Sequence, residues 1–147
     1  TGCRVSEVAN LNVVDLMISE RSGMAVFRTG KGNKQRSVPV PAPARKAISE
    51  YFSVRPPSNH DCVFIGERGP LTEKGVRASC EKYGVICGFH LHPHLFRPTF
   101  AHRYLADNPG DLVGLAQILG HVNLNTTRRY VAKTQLQLAE ASERVTF

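Results

Sequence analysis

Apolar positions recur at helical spacing through most of the chain and alternate at strand spacing in two short stretches. Val5, Val8 and Ala9 form one helix face, extended by Leu11. Met24–Arg28 and Gln35–Val40 alternate as strands, and Thr29-Gly30-Lys31-Gly32-Asn33-Lys34 between them reads as a hairpin turn. Pro41–Phe52 predicts an amphipathic helix with Pro43 in its first turn and Ala44, Ala47, Ile48, Tyr51 and Phe52 inward. Arg55-Pro56-Pro57-Ser58-Asn59 is a loop, and Cys62-Val63-Phe64-Ile65 is a short extended run. Thr72 is placed to cap a helix running to about Cys87, with Val76, Cys80, Tyr83 and Cys87 inward. If a further helix starts at Pro93, Phe100, Tyr104 and Leu105 continue it and Asn108-Pro109-Gly110 ends it. Leu112, Leu115, Ile118 and Leu119 mark the next helix, and Gly120 supplies its left-handed stop. From Ala132 on, Leu136 and Ala139 keep helical spacing, with Val145 and Phe147 beyond.

A length of 147 residues suits one domain with a real core. Nineteen Lys and Arg against twelve Asp and Glu give a formal charge of +7. That sign favours a polyanionic partner, nucleic acid before an acidic membrane surface. No apolar run approaches the ~18 residues that span a bilayer, and no signal peptide is evident. Cys3, Cys62, Cys80 and Cys87 lack C-x-x-C spacing and read as small buried hydrophobes in a reducing, cytoplasmic setting. The chain opens at Thr1 directly in a helical pattern, as a piece of something longer is expected to.

The basic residues of the hairpin read first as a solvated tip, and alternatively as a ligand contact. Arg28, Lys31, Lys34 and Arg36 crowd the predicted hairpin, and Lys31 lies between two glycines that let the backbone approach a groove. Arg4 and Glu7 are one turn apart and can pair or face a common ligand. An arginine at a helix N-terminus is unfavourable unless an anion is near. His121 follows the Gly120 stop, and a polar segment with Arg128 and Arg129 then carries Tyr130. An imidazole, two arginines and a phenol delivered together suit phosphate chemistry. His90, His92 and His94 alternate near Cys87 and invite a metal reading. Pro93 breaks that alternation, and the nearest acidic residue downstream is Asp107. A helix starting at Pro93 instead points His94 and Arg97 the same way.

Four separated motifs then carry a family pattern: Thr1-Gly2-Cys3-Arg4-Val5-Ser6-Glu7, Gly30-Lys31-Gly32-Asn33-Lys34-Gln35-Arg36, Pro93-His94-Leu95-Phe96-Arg97, and Leu119-Gly120-His121 with Tyr130. In order and spacing the chain resembles the catalytic domain of tyrosine recombinases, the phage integrase family. The resemblance implies a mixed α/β fold, mainly α-helical, with a small antiparallel hairpin or three-stranded sheet at one edge. It implies one catalytic domain over residues 1–147, with the family's N-terminal DNA-binding domain absent from this chain. It assigns Arg4 and Arg97 to the scissile phosphate, Tyr130 to nucleophilic attack, His94 to general base, Lys31 to protonation of the leaving oxygen and His121 to a non-bridging oxygen. Arg28, Lys34, Arg36, Arg128 and Arg129 are the further DNA-binding cations. No cofactor or metal is implied, because a 3′-phosphotyrosyl bond keeps the energy of the bond it replaces. The implied partner is a double-stranded DNA site, met by a homo-tetramer exchanging C-terminal tails, in a bacterial, phage or mobile-element setting. The alternative is a non-catalytic DNA-binding module of the same fold. One departure stands out: where the family commonly has histidine after Arg97, this chain has Pro98, which predicts a helix that starts near Pro98 or kinks there.

Overall fold

The computed structural model describes residues 1–28, 35–131, 139 and 142–145. Short helix α1 (Val5–Ala9) leads through a 3-10 turn, Val13–Asp15, into a three-stranded antiparallel sheet. Its strands are β1 (Leu16–Ile18), β2 (Gly23–Arg28) and β3 (Gln35–Pro39), in that spatial order. The register pairs Leu16 with Ala25, Ala25 with Val38, and Phe27 with Arg36. Helix α2 (Ala42–Val54), a two-residue ribbon of β4 (Ile65–Gly66) and β5 (Gly69–Pro70), and helices α3 (Glu73–Cys87), α4 (Pro93–Asp107), α5 (Leu112–Leu119) and α6 (Asn125–Arg128) complete it. The fold is the mainly helical α/β arrangement expected, with the sheet supplying the β part.

Two cores result. The first buries Leu11, Ala25, Phe27, Val38, Val40 and Val63, with Ala44, Ile48, Tyr51 and Ile118 packed against it. The second buries Ala101, Leu115 and Leu119, with Phe100, Tyr104, Leu105 and Tyr130 against it. Helix α5 belongs to both, because Ile118 points to the sheet while Leu115 and Leu119 point to α4. Full burial of a leucine such as Leu115 is worth about 1.5–3 kcal/mol.

Local signals explain most boundaries. Thr72 Oγ1 accepts from Gly75 N–H at 3.2 Å, and Gly88 closes α3 in the left-handed region. The inward stripe of α3 is corrected, however. It runs Val76, Cys80, Gly84, while Tyr83 is 57% exposed and Cys87 is also exposed. The returning chain lies directly on Gly84, where a Cβ would stand 2.7 Å from the Phe89 carbonyl oxygen. That close approach turns the buried face by a residue. On α2, Ala44, Ile48 and Tyr51 pack inward as expected, but Ala47 and Phe52 face out. Of the four free cysteines three are half-buried, and Cys87 lies outside the expected buried set.

Pro98 neither starts α4 nor ends it: the helix runs unbroken from Pro93 to Asp107. Proline removes the N–H that would reach the His94 carbonyl, a cost of about 3 kcal/mol in a helix interior. Arg97, the residue before it, is tied to the Gly2 and Leu119 carbonyls. The hairpin turn with Lys31 and Lys34, and the tail over residues 132–138, lie outside the described residues.

Candidate active site

Three chain segments meet at Arg97. Its Nη1 donates to the Gly2 carbonyl at 2.6 Å and its Nη2 to the Leu119 carbonyl at 2.6 Å. Gly2 can lie this close because it has no side chain: with φ at 59°, its Cβ would stand 2.6 Å from Phe100 and 2.7 Å from Leu119. Arg97 thus joins the chain start, α4 and the end of α5. It also approaches His121 Nε2, at 3.1 Å.

His121 is delivered by the α5 stop. Gly120 takes φ 67°, and the His121 N–H returns to the Ala116 carbonyl at 2.9 Å. Its Nδ1 lies 2.8 Å from the hydroxyl of Thr127, which is wholly buried. A guanidinium can only donate, so Nε2 is the acceptor and the ring proton sits on Nδ1, directed at Thr127. The ring is neutral: burial, then Arg97, Arg129, Arg4 and Arg36, push its pKa down to about 4. Burial, then Arg4, likewise lowers the pKa of Arg97 from its ordinary value, with Glu7 acting in the opposite sense.

Tyr130 follows α6 and packs half-buried on the second core. Its ring stacks on His121, with centroids 6.4 Å apart and planes 10° from parallel. His102 of α4 meets its edge at 5.7 Å. Arg129 lies over the same ring and donates to the phenol oxygen at 3.2 Å. His94 is exposed on the first turn of α4, three residues from Arg97, and no hydrogen bond joins it to Tyr130 among the described residues.

Arg4 caps α1 and is 43% exposed in its side chain. Glu7, only 6% exposed, accepts from the Arg4 backbone N–H at 2.6 Å and from its Nη1 at 3.0 Å. The same carboxylate takes both terminal nitrogens of Arg36. Burial would raise the Glu7 carboxyl, but the hydrogen bonds and charges of Arg36 and Arg4 hold it below the usual range. An open cleft lined by Arg4, Gln35, Arg36, Gln117, Gly120 and His121 lies over this cluster.

The structure therefore brings Arg4, Arg97, His121 and Tyr130 together, while His94 is exposed on the first turn of α4 and does not line the cleft. Arg128 and Arg129 are exposed beside Tyr130. Arg28 and Arg36, grouped by sequence as DNA-binding cations, each pair with a carboxylate. Arg28 forms a forked pair with buried Asp15 at 2.6–3.2 Å, and Arg36 is only 13% exposed. Thr127 and His102 carry no sequence signal, whereas the Arg4–Glu7 spacing did announce that pair. The rings of His90, His92 and His94 lie 5.4 and 6.1 Å apart in sequence order. Among the described residues no three His, Cys, Asp or Glu side chains are grouped to hold one ion. No described helix is long and apolar enough to cross a membrane.

Comparison with known proteins follows the same line. The phage integrase family pattern matches residues 1–137. The chain is 36% identical over 144 residues to the tyrosine recombinase XerC of Shewanella amazonensis, covering 95% of this chain and 47% of that protein. It is 38% identical over 147 residues to XerC of Staphylococcus carnosus, covering 94% and 47%. It superposes on the XerA recombinase with a TM-score of 0.82 at 28% identity, over 100% of this chain and 55% of that one. Against the XerH site-specific recombinase bound to palindromic difH substrate in a post-cleavage complex, the TM-score is 0.80 at 26% identity, over 98% and 42%. The chain spans about half the length of the curated relatives it matches. With nearly all its residues under that pattern and its whole length on a recombinase fold, the chain belongs to the phage integrase family.

Proposed function

We propose that the protein containing this chain is a site-specific DNA recombinase working through a covalent 3′-phosphotyrosyl intermediate. One observation carries the reading. A phenol, a neutral imidazole and a half-buried arginine are held in a row by the Arg97–His121 hydrogen bond and the His121–Tyr130 stack, with Arg4 on the adjoining helix cap. Such a set serves phosphoryl transfer: a trigonal-bipyramidal phosphorus gathers negative charge, and guanidinium forks match its oxygens bidentately.

In this scheme the Tyr130 oxygen attacks phosphorus and the bond to the 5′-oxygen breaks. The phenol proton passes to His94, and the departing 5′-oxygen takes a proton from Lys31. Arg4 and Arg97 neutralise the non-bridging oxygens. His121 contributes a hydrogen bond to one of them from Nε2 once Arg97 turns from the imidazole to the phosphate and the ring proton moves from Nδ1 to Nε2, the Thr127 hydroxyl then donating to Nδ1. A 5′-hydroxyl of the partner duplex reverses the step, so no bond energy is lost. The partner is double-stranded DNA, with Arg128, Arg129, Lys34 and the hairpin as backbone contacts. A homo-tetramer with exchanged tails, in a bacterial cytoplasm, completes the proposal.

The test uses the full-length protein and sheared DNA from its source. After denaturation, covalent adducts are collected and the attached DNA ends are sequenced. Wild type is expected to yield adducts at one recurrent site, joined to 3′ ends and formed in the presence of chelator. Tyr130→Phe should yield none while binding the recovered site within about threefold of wild type, since only the nucleophilic oxygen is lost. Adducts from the Phe variant, or binding lost along with them, would remove Tyr130 from the role. Specific binding without any adduct would favour the non-catalytic module.

A further inference from the structure

Arg36 is the second residue of β3, where a surface cation is the default. It faces inward instead. Its register partner Phe27 lies under the guanidinium, with Cζ 5.1 Å from the ring centroid. Nη1 and Nη2 grip Glu7 as a fork, Nη2 at 2.8 Å, and Nε donates to the Ile118 carbonyl at 2.9 Å. Every nitrogen of the side chain is therefore engaged by protein. The stem lies against Gly120, where a Cβ would come within 2.8 Å of Cδ and 3.0 Å of Nε and Nη1. The turn that presents His121 is built around this arginine.

Each partner of Arg36 leads to a residue placed at the phosphate. Glu7 holds Arg4 by its backbone and by its guanidinium. Ile118 is three residues before His121, on the last turn of α5. We infer that Arg36 is a positioning residue: by sharing the Glu7 carboxylate and gripping the end of α5, it sets both Arg4 and the His121 turn against the scissile phosphate. The inference rests on the function proposed above. Its logic is electrostatic as well as geometric. With Arg36 in place, Glu7 is neutralised from behind and orients Arg4 without capturing it. Without Arg36, the buried carboxylate has Arg4 as its remaining cation and draws it away from the phosphate.

The experiment uses the full-length protein and a nicked duplex carrying its recovered site. The scissile position is either an ordinary phosphodiester or an uncharged methylphosphonate. Adduct formation is followed in single turnover, with duplex affinity and thermal melting measured alongside. Arg36→Met keeps the stem and removes the fork. It is expected to slow adduct formation on the phosphodiester by at least about tenfold, with affinity within about threefold of wild type. On the methylphosphonate, which needs less charge compensation, the loss should shrink to about twofold or less. Glu7→Gln keeps the shape and should give the same substrate-dependent pattern, so the inference stays testable if Arg36→Met folds poorly. Arg36→Lys restores charge without the fork and should recover only part of the rate. Equal slowing on both substrates would mean a merely structural residue and overturn the inference. So would an affinity loss matching the rate loss with a shallower salt dependence, the mark of a direct DNA contact. Failure of wild type itself to form adducts would instead sink the recombinase reading.

Discussion

Arg28 and Arg36 are one register step apart on the same hairpin, and their fates are opposite. Arg28 ends β2 and Arg36 pairs with Phe27, so successive positions point to opposite faces of the sheet. Each meets a buried carboxylate, Asp15 or Glu7. Arg28 nevertheless keeps 63% of its side chain exposed, while Arg36 keeps 13%. Arg28 closes an ion pair from the solvent side. Arg36 lies beneath a helix end, inside a network that includes Arg4. The same residue type at nearly the same place in the sequence serves as a cover in one case and a keystone in the other. The face of the sheet decides which.

The largest effect is expected from removing the keystone. Arg36→Met leaves Glu7 buried with half its neutralisation gone, and should cost about 3 kcal/mol of unfolding free energy. Arg28→Met should cost clearly less, because water already reaches the Arg28 side of the pair and can take its place. Urea titration of both variants, with the Glu7 and Asp15 partners in double-mutant cycles, gives the ranking. Equal coupling energies would break the comparison.

Next come the two left-handed helix stops. Gly88 and Gly120 have similar φ, 74° and 67°. Alanine at either forces the left-handed region, at about 1 kcal/mol. At Gly88 nothing lies within 4 Å of the added carbon, so the cost ends there. At Gly120 the carbon collides with Arg36, so Gly120→Ala should lose adduct formation well beyond its stability loss. A rate matching that of Gly88→Ala would detach Arg36 from the His121 turn.

A separate effect is expected in acid. His121 has a folded pKa of about 4 against an ordinary 6.5. The unfolded chain therefore binds more protons between those values, and stability falls as pH drops from 6.5 to 4. Glu7, whose pKa is lowered, acts in the same direction further down: its contribution is present above the ordinary value of 4.5 and is lost as pH falls through the folded pKa. His121→Gln should flatten the decline between pH 6.5 and 4 in urea titrations and leave the lower part. An unchanged slope would show that burial and the four nearby arginines do not hold the imidazole neutral.

What was legible in the sequence was local. Thr72 and Gly88 bracket α3, Gly120 stops α5, and the alternation over Met24–Arg28 and Gln35–Val40 gives the two longer strands within a residue or so. The four motifs also picked out Arg4, Arg97, His121 and Tyr130, which the fold does gather. What was not legible depended on residues distant in sequence. The stripe of α3 turns because Phe89 lies on Gly84. Pro98 sits inside an unbroken α4, beside an Arg97 whose partners Gly2 and Leu119 are 95 and 22 residues away. Arg36 reads as a surface cation until Glu7 and Ile118, 29 and 82 residues away, are placed against it. Thr127, wholly buried under His121, looked like one more polar turn residue. Strand β1 gave no alternation long enough to notice.

Helix α5 is short, yet one side of it is glued to the sheet and the other to α4. Its last turn is thereby held from both sides: Arg36 of β3 takes the Ile118 carbonyl and Arg97 of α4 takes the Leu119 carbonyl. The position of His121 is thus registered to the sheet and to the helical half at once.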